Sequence, residues 1–247
     1  MLERATDQAS GLRALFADAR SPRVTVVDTS DPDAACASVT LGVEIAKRGS
    51  RVLVLDATAG EAALALRCRA RYELAHVLSR DKCIDDVLLP ARDGVTVLPA
   101  RRALARLDDA PYSWREAVQA ALGSMRFDVW LVNGAPATLQ HEPLLIVATP
   151  TRVSITNAYA RVKAFAQRTP GGELDLVVDA ATDADARATY ERIAAASRRF
   201  LAARVRYGGR LVRETPRASA ARSNASLLTE LIERLTGTPP APVAAAA

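Results

Sequence analysis

The side chains that most often do chemistry are sparse in this chain. Cys36, Cys68 and Cys83 lack CxxC spacing and are odd in number, so they read as reduced thiols and not as a metal site or a disulfide frame. His76 and His141 are the only histidines and lie far apart, which leaves little for a zinc site or a histidine-based triad. One stretch stands out: VDTSDPDAACASVTLGVEIAKRG, Val27 to Gly49, which runs from an apolar strand into a helix. A nucleotide-binding protein keeps its phosphate loop at that place. Such a loop needs glycines so that N–H groups can wrap phosphates, a lysine to neutralise them, and a hydroxyl for Mg²⁺. Here no glycine precedes Gly42, no lysine precedes Lys47, and Asp31 and Asp33 stand at the turn.

The elements that must position this stretch are legible as apolar, β-branched runs separated by helical patterns. RVTVVD (Arg23 to Asp28), RVLVLD (Arg51 to Asp56), VTVLPA (Val95 to Ala100), VWLVNG (Val129 to Gly134), LLIVATP (Leu144 to Pro150) and LDLVVD (Leu174 to Asp179) read as strands. ARVRYGGRLV (Ala203 to Val212) is a weaker seventh. The runs are continuous instead of alternating, as parallel strands covered on both faces require. Helical patterns fall at Ala34 to Arg48, Tyr112 to Leu122, Ser154 to Gln167 and Asp183 to Leu201. Strand and helix in alternation predict an α/β fold, a doubly wound, mostly parallel sheet in a single domain. In that architecture ligands bind at the carboxyl ends of the strands, beside the loop after the first.

Three parts are expected: an N-terminal helical segment over residues 1–20, an α/β domain over 21–237, and a low-complexity, disordered tail over 238–247. Asn224 to Leu235 reads as an amphipathic helix, and its Glu230 and Glu233 with no lysine argue against an anionic membrane and for packing on the domain. No apolar run reaches the roughly 18 residues that span a bilayer. The charged N-terminus lacks a secretory core, so a cytoplasmic location is expected. The net charge is +5, yet the arginines spread evenly except at Arg101 to Arg106 and over residues 198–222. That looks as much like GC-rich codon bias as like a binding face, and nucleic-acid binding is not expected.

SVTLGVEIAKRG (Ser38 to Gly49), RVLVLDATAG (Arg51 to Gly60), RYELAHVLS (Arg71 to Ser79), DDVLLPARDGVTVLPA (Asp85 to Ala100), FDVWLVNGA (Phe127 to Ala135) and IVATPTRVSITNAYARVKAFA (Ile146 to Ala166) occur in an order that resembles the MinD/ParA family of deviant P-loop ATPases. The likeness is strongest to its flagellar number-regulator branch, called FlhG, FleN or YlxH. DQASGLR, Asp7 to Arg13, resembles the DQAxxLR signature that precedes the first strand in that branch. The resemblance implies that this helix docks on the SRP-type GTPase FlhF and stimulates its GTP hydrolysis, with the glutamine central. It assigns partner contact to Asp7, Gln8, Ala9, Leu12, Arg13, Leu15 and Phe16.

Carried over residue by residue, the resemblance also implies a dismantled nucleotide site. The glycine places are held by Ser30, Pro32, Asp33 and Ala35. The phosphate-binding lysine is replaced by Cys36, the signature lysine that crosses a dimer by Asp31, and the Mg²⁺-binding hydroxyl by Ala37. Asp56 keeps the water-activating place on the second strand, Thr58 follows where an acidic residue is usual, and Asn133 replaces the aspartate that supports Mg²⁺. SDPDAAC itself reads as a self-sufficient helix start, with Ser30 or Asp31 as N-cap, Pro32 in the first turn and Asp33 at the positive end. The expectation is a pseudo-ATPase of the flagellar branch with no catalytic residue, cofactor or metal, acting on an FlhF-type GTPase or another flagellar assembly protein. The alternatives are an active ATPase of the MinD/ParA class with an unusual loop, or a non-flagellar MinD-like interaction protein, for instance in cellulose secretion.

Overall fold

The computed structural model describes residues 23–29, 37–91, 94–106, 112–123, 125–134, 144–201, 203–211 and 228–237. The Asp7 to Phe16 segment, the Ser30 to Cys36 loop and the tail after Gly237 lie outside the described residues.

Eight strands form one sheet: β1 (Arg23–Thr29), β2 (Val52–Asp56), β3 (Leu89–Pro90), β4 (Val95–Pro99), β5 (Val129–Asn133), β6 (Leu144–Ala148), β7 (Glu173–Asp179) and β8 (Arg204–Leu211). Their order across the sheet is β3-β4-β2-β5-β1-β6-β7-β8. Every pairing is parallel except that of β3 with β4. The chain therefore winds outward from β1 in both directions, the doubly wound α/β fold that the apolar runs predict.

Both faces of the sheet are covered, which is why the strand sequences do not alternate. On one face Val27, Val52, Val54, Leu131, Val147 and Val177 pack with α1 (Ala37–Ala46) and with α8 (Thr229–Thr236). Ala62 of the short helix α2 (Glu61–Ala65) joins them. The opposite face of the inner strands packs Val24, Val26, Leu53, Leu55, Trp130 and Val132 against α3 (Leu74–Leu78), α4 (Arg101–Ala105) and α5 (Tyr112–Gly123). Farther along that face, Ile146, Leu174, Leu176 and Val178 pack against α6 (Arg152–Arg168) and α7 (Asp183–Leu201).

The long helices lie where their patterns place them, and their starts explain their bounds. Thr151 caps α6, its hydroxyl accepting from the Ser154 N–H at 3.2 Å. Ahead of α7, the Thr182 hydroxyl accepts from the Asp185 N–H at 3.1 Å and donates to its carboxylate at 2.6 Å, a reciprocal capping arrangement. The described part of α1 begins at Ala37, and the chain turns out of it at Gly49 with φ 90°. Helices α2, α3 and α4 and the edge strand β3 were not legible in the sequence. Each is five residues or fewer, too short for a 3.6-residue period to register.

The weak seventh run is β8, paired along its length with β7 apart from a bulge between Leu176 and Val177. Gly208 fills that bulge for a steric reason: a Cβ there would sit 2.9 Å from Val177 Cγ2 and 3.3 Å from Leu231 Cδ2 of α8. The missing side chain is what lets α8 lie close to the sheet. That helix covers 229–236, a few residues later and shorter than the amphipathic run suggests. Leu228, Leu231, Ile232 and Leu235 are all buried in the core, so its apolar stripe is used in packing. Arg234 secures it by a 2.8 Å bond to Asp175, which also takes both arms of Arg206 at 3.2 Å. Asp175 thus breaks the apolar run of β7 without being left an unpaired buried charge. Among the described residues, no helix is long and apolar enough to cross a membrane.

Candidate functional site

Parallel strands leave their carboxyl ends, and the loops that follow, on one rim of the sheet. There β1, β5 and β2 lie side by side, with Val27 opposite Asn133 and Asn133 opposite Asp56. Residues of one parity point to the α1 face, so Asp56 and Asn133 stand together beneath the start of α1. The structure brings these two sequence-predicted residues together. Ala37 and Ser38 open α1 on the same face, and both are buried.

The Asp56 carboxylate is 1% exposed and is occupied from within the protein. Its Oδ1 accepts from the Thr58 N–H at 3.0 Å, the Thr58 hydroxyl at 2.6 Å and the Asn133 side-chain amide at 3.3 Å. Oδ2 accepts from the Ala62 N–H at 3.0 Å, inside the first turn of α2. Thr58 passes the connection on, its hydroxyl accepting from the Glu61 N–H at 3.2 Å. Aspartate and threonine thus together hold the turn that launches α2, satisfying N–H groups that a helix start leaves open. In the sequence Thr58 reads only as the loss of an acidic residue; the structure makes it the residue that seats Asp56. The D-x-T spacing was the available signal, because a threonine two residues beyond an aspartate can close such a turn on its carboxylate.

Asn133 completes the connection between strands. Its carbonyl accepts from the Ala57 N–H at 2.9 Å, and its side chain donates to Asp56. The next residue, Gly134, adopts φ 101°, and a Cβ there would lie 3.3 Å from Thr58 Cγ2. The left-handed φ favours glycine there, and a side chain would also press on Thr58. Among the described residues, Asn133 Oδ1 and Ser38 Oγ are buried polar atoms without a hydrogen-bond partner. Where the phosphate-site reading places a Mg²⁺-binding hydroxyl, Ala37 presents a methyl group. The other loop positions singled out in the sequence, Ser30, Asp31, Pro32, Asp33, Ala35 and Cys36, lie outside the described residues, as do Asp7 to Phe16.

Asp28, the last aspartate before the loop, points to the opposite face and contributes nothing to this cluster. It is 5% exposed and pairs with Arg161 of α6 at 3.2 Å. Burial pushes its carboxyl above the usual value of 3.8, with Arg161 and then Arg168 pulling it back only in part. Since the native state holds that proton more tightly than the unfolded chain does, this group favours the fold most below 3.8, and the advantage is lost as pH rises through the native value. The Asp28→Asn variant should therefore gain melting temperature relative to the parent as pH is raised from below 3.8 to neutrality. A parent that gains on the variant over the same range would mean that pairing with Arg161 outweighs burial.

Among the described residues, no group of three His, Cys, Asp or Glu side chains could hold a metal ion. No protein-family model matches the chain, and no curated relative matches it. Solved structures do. The MinD cell division protein of Aquifex aeolicus superposes with a TM-score of 0.59 at 18% identity, over 89% of this chain and 98% of that one. A ParA family ATPase from Chlorobium tepidum gives 0.54 at 14% identity, over 88% and 93%. A plasmid partition protein of Borrelia burgdorferi, solved bound to AMPPNP, gives 0.54 at 12% identity, over 87% and 97%. At such identities the likeness shows the fold, which is the MinD/ParA type of P-loop NTPase fold in a single α/β domain.

Proposed function

We propose that this chain is a non-catalytic member of the MinD/ParA group, a regulator of the FlhG type in flagellar biogenesis that works through protein contacts. Its partner in this reading is an FlhF-type GTPase, met by Asp7, Gln8, Ala9, Leu12, Arg13, Leu15 and Phe16. One observation carries the loss of catalysis: the Asp56 carboxylate, in the place that would activate water, is filled by four internal donors. Mg²⁺–ATP does not fit the described residues here. The Ala37 methyl offers no metal ligand, and Asn133 in place of an aspartate brings no negative charge to hold a cation. The sequence adds Asp31 and Asp33, which would face the phosphates with like charge. The DQASGLR motif supports the flagellar assignment, because the four-residue spacing of Gln8 and Leu12, continued by Leu15 and Phe16, would suit one face of a helix. The apolar stripe of α8 is buried against the sheet and so is used in packing instead of facing a membrane.

A second reading, an ATPase with an unusual loop, is favoured by Ser38 Oγ and Asn133 Oδ1. Two buried polar atoms left open beneath α1 are costly unless something meets them, at about 1–3 kcal/mol each. One pair of measurements separates the readings. Titration with Mg²⁺–ATP should leave the melting curve of the full chain unmoved, whereas a saturable rise would support the second. The full chain should accelerate GTP turnover by the cognate FlhF-type GTPase, and the Gln8→Ala variant should lose that acceleration. Failure of the intact chain to bind or stimulate removes the flagellar assignment.

A further inference from the structure

A cleft of ≈ 290 Å³ opens at the carboxyl ends of β2 and β4, beyond the Asp56 turn and on the binding rim of the sheet. Its wall is built around Glu73, which is 9% exposed. One oxygen of that carboxylate takes the Nε–H of Arg102, and the other accepts from the Arg102 backbone N–H at 3.1 Å. Arg102 is thereby fixed with an Nη2 group turned to the His76 ring, 3.3 Å from its Nε2. The ring is held from the other side: His76 Nδ1 lies 3.0 Å from the Glu73 backbone nitrogen and 3.2 Å from the Glu73 carbonyl oxygen, accepting from the one or donating to the other according to the tautomer. Nε2 and the Arg102 Nη2 thus stand together at the wall of the cleft. Edge-on contact with Tyr72, at 5.5 Å between ring centroids, keeps the imidazole from turning away.

Two further guanidiniums line the same cleft. Arg71 and Arg101 are exposed and have no ion-pair or hydrogen-bond partner among the described residues. Three guanidiniums against the single Glu73 carboxylate leave two positive charges. The geometry points to a binding site for a doubly charged phosphate group, one oxygen met by Arg102 beside the His76 ring and the others by Arg71 and Arg101. The fork of an arginine suits phosphate oxygens in pairs, and a monocarboxylate would answer only half of the charge. The volume admits a phosphate with a small organic group attached, and Tyr72 offers that group an aromatic wall. Thr58, which seats Asp56, also lines the cleft, but none of the side chains that would meet the phosphate belongs to the Asp56–Asn133 cluster, and the site stands whether or not the chain regulates a GTPase.

Calorimetric titration of the full chain with sodium phosphate, and separately with sodium acetate at matched ionic strength, tests it. Phosphate should bind saturably, acetate about tenfold more weakly, and the Arg71→Gln, Arg101→Gln double variant should lose about tenfold in phosphate affinity. Because both arginines are unpaired, the variant should melt within about 2 °C of the parent. Proton NMR of the parent gives an independent readout, since the chain has only two histidines: the imidazole signal absent from a His76→Gln variant should shift with phosphate, and that of His141 should not. No saturable heat, a double variant that binds like the parent, acetate equal to phosphate, or an unmoved His76 ring would each overturn the assignment. Should the double variant fail to fold, the ring shift in the parent decides alone.

Discussion

Replacing Asp56 with alanine should lower the melting temperature by about 10 °C, an effect far larger than a vestigial catalytic residue would give. The substitution strands the Ala62 N–H and the Asn133 amide in the buried interior, and the Thr58 N–H and hydroxyl at its half-buried edge. Hydrogen bonds to a charged group contribute about 1.5–3 kcal/mol apiece, and stranded donors can regain only part of that by rearranging. The expected net cost is about 3–5 kcal/mol, near the top of what single substitutions do. Asp56→Asn should fall between parent and alanine, because an amide keeps one acceptor but sets a donor against at least one N–H. Thermal denaturation by circular dichroism measures both. If Asp56→Ala melts within about 2 °C of the parent, the carboxylate is not structural, and the ATPase reading regains its water-activating residue.

The C-terminal helix gives the second large effect. Leu231 is 1% exposed and rests over the Gly208 bulge, so Leu231→Ala opens a cavity between α8 and the sheet. Buried leucine-to-alanine changes cost about 2–5 kcal/mol, which corresponds to a drop of about 10 °C here. The parent chain, mixed with vesicles containing anionic lipid, should remain in the supernatant after sedimentation. A helix that served instead as a detachable anchor would behave in the opposite way. Leu231→Ala would then leave the melting temperature unchanged, and the parent would sediment with the vesicles. The two outcomes cannot be confused, because one readout is stability and the other is partition.

The architecture was legible because parallel strands covered on both faces need apolar side chains at every position, and RVLVLD and VWLVNG carry that signal without any knowledge of neighbours. Helices such as Asp183–Leu201 were legible too, since nineteen residues hold several turns of one period and a Thr182 cap. The absence of glycine and lysine between Ser30 and Ala37 is likewise written in the chain, as residue identity alone. What the chain alone did not decide is the work of the residues that remain. Asn133 comes from a different segment than Asp56 and Thr58, and only the register of β2 beside β5 reveals that its amide reaches their shared turn. Arg71, His76 and Arg102 sit in stretches where the sequence predicts no element, since the five-residue helices that carry or adjoin them leave no periodic trace. Their convergence needs Glu73 to hold Arg102 across 29 residues of chain, a pairing that no local pattern encodes. Hydrophobic periodicity is a property of neighbours in sequence; the partner of a charge is a property of neighbours in space.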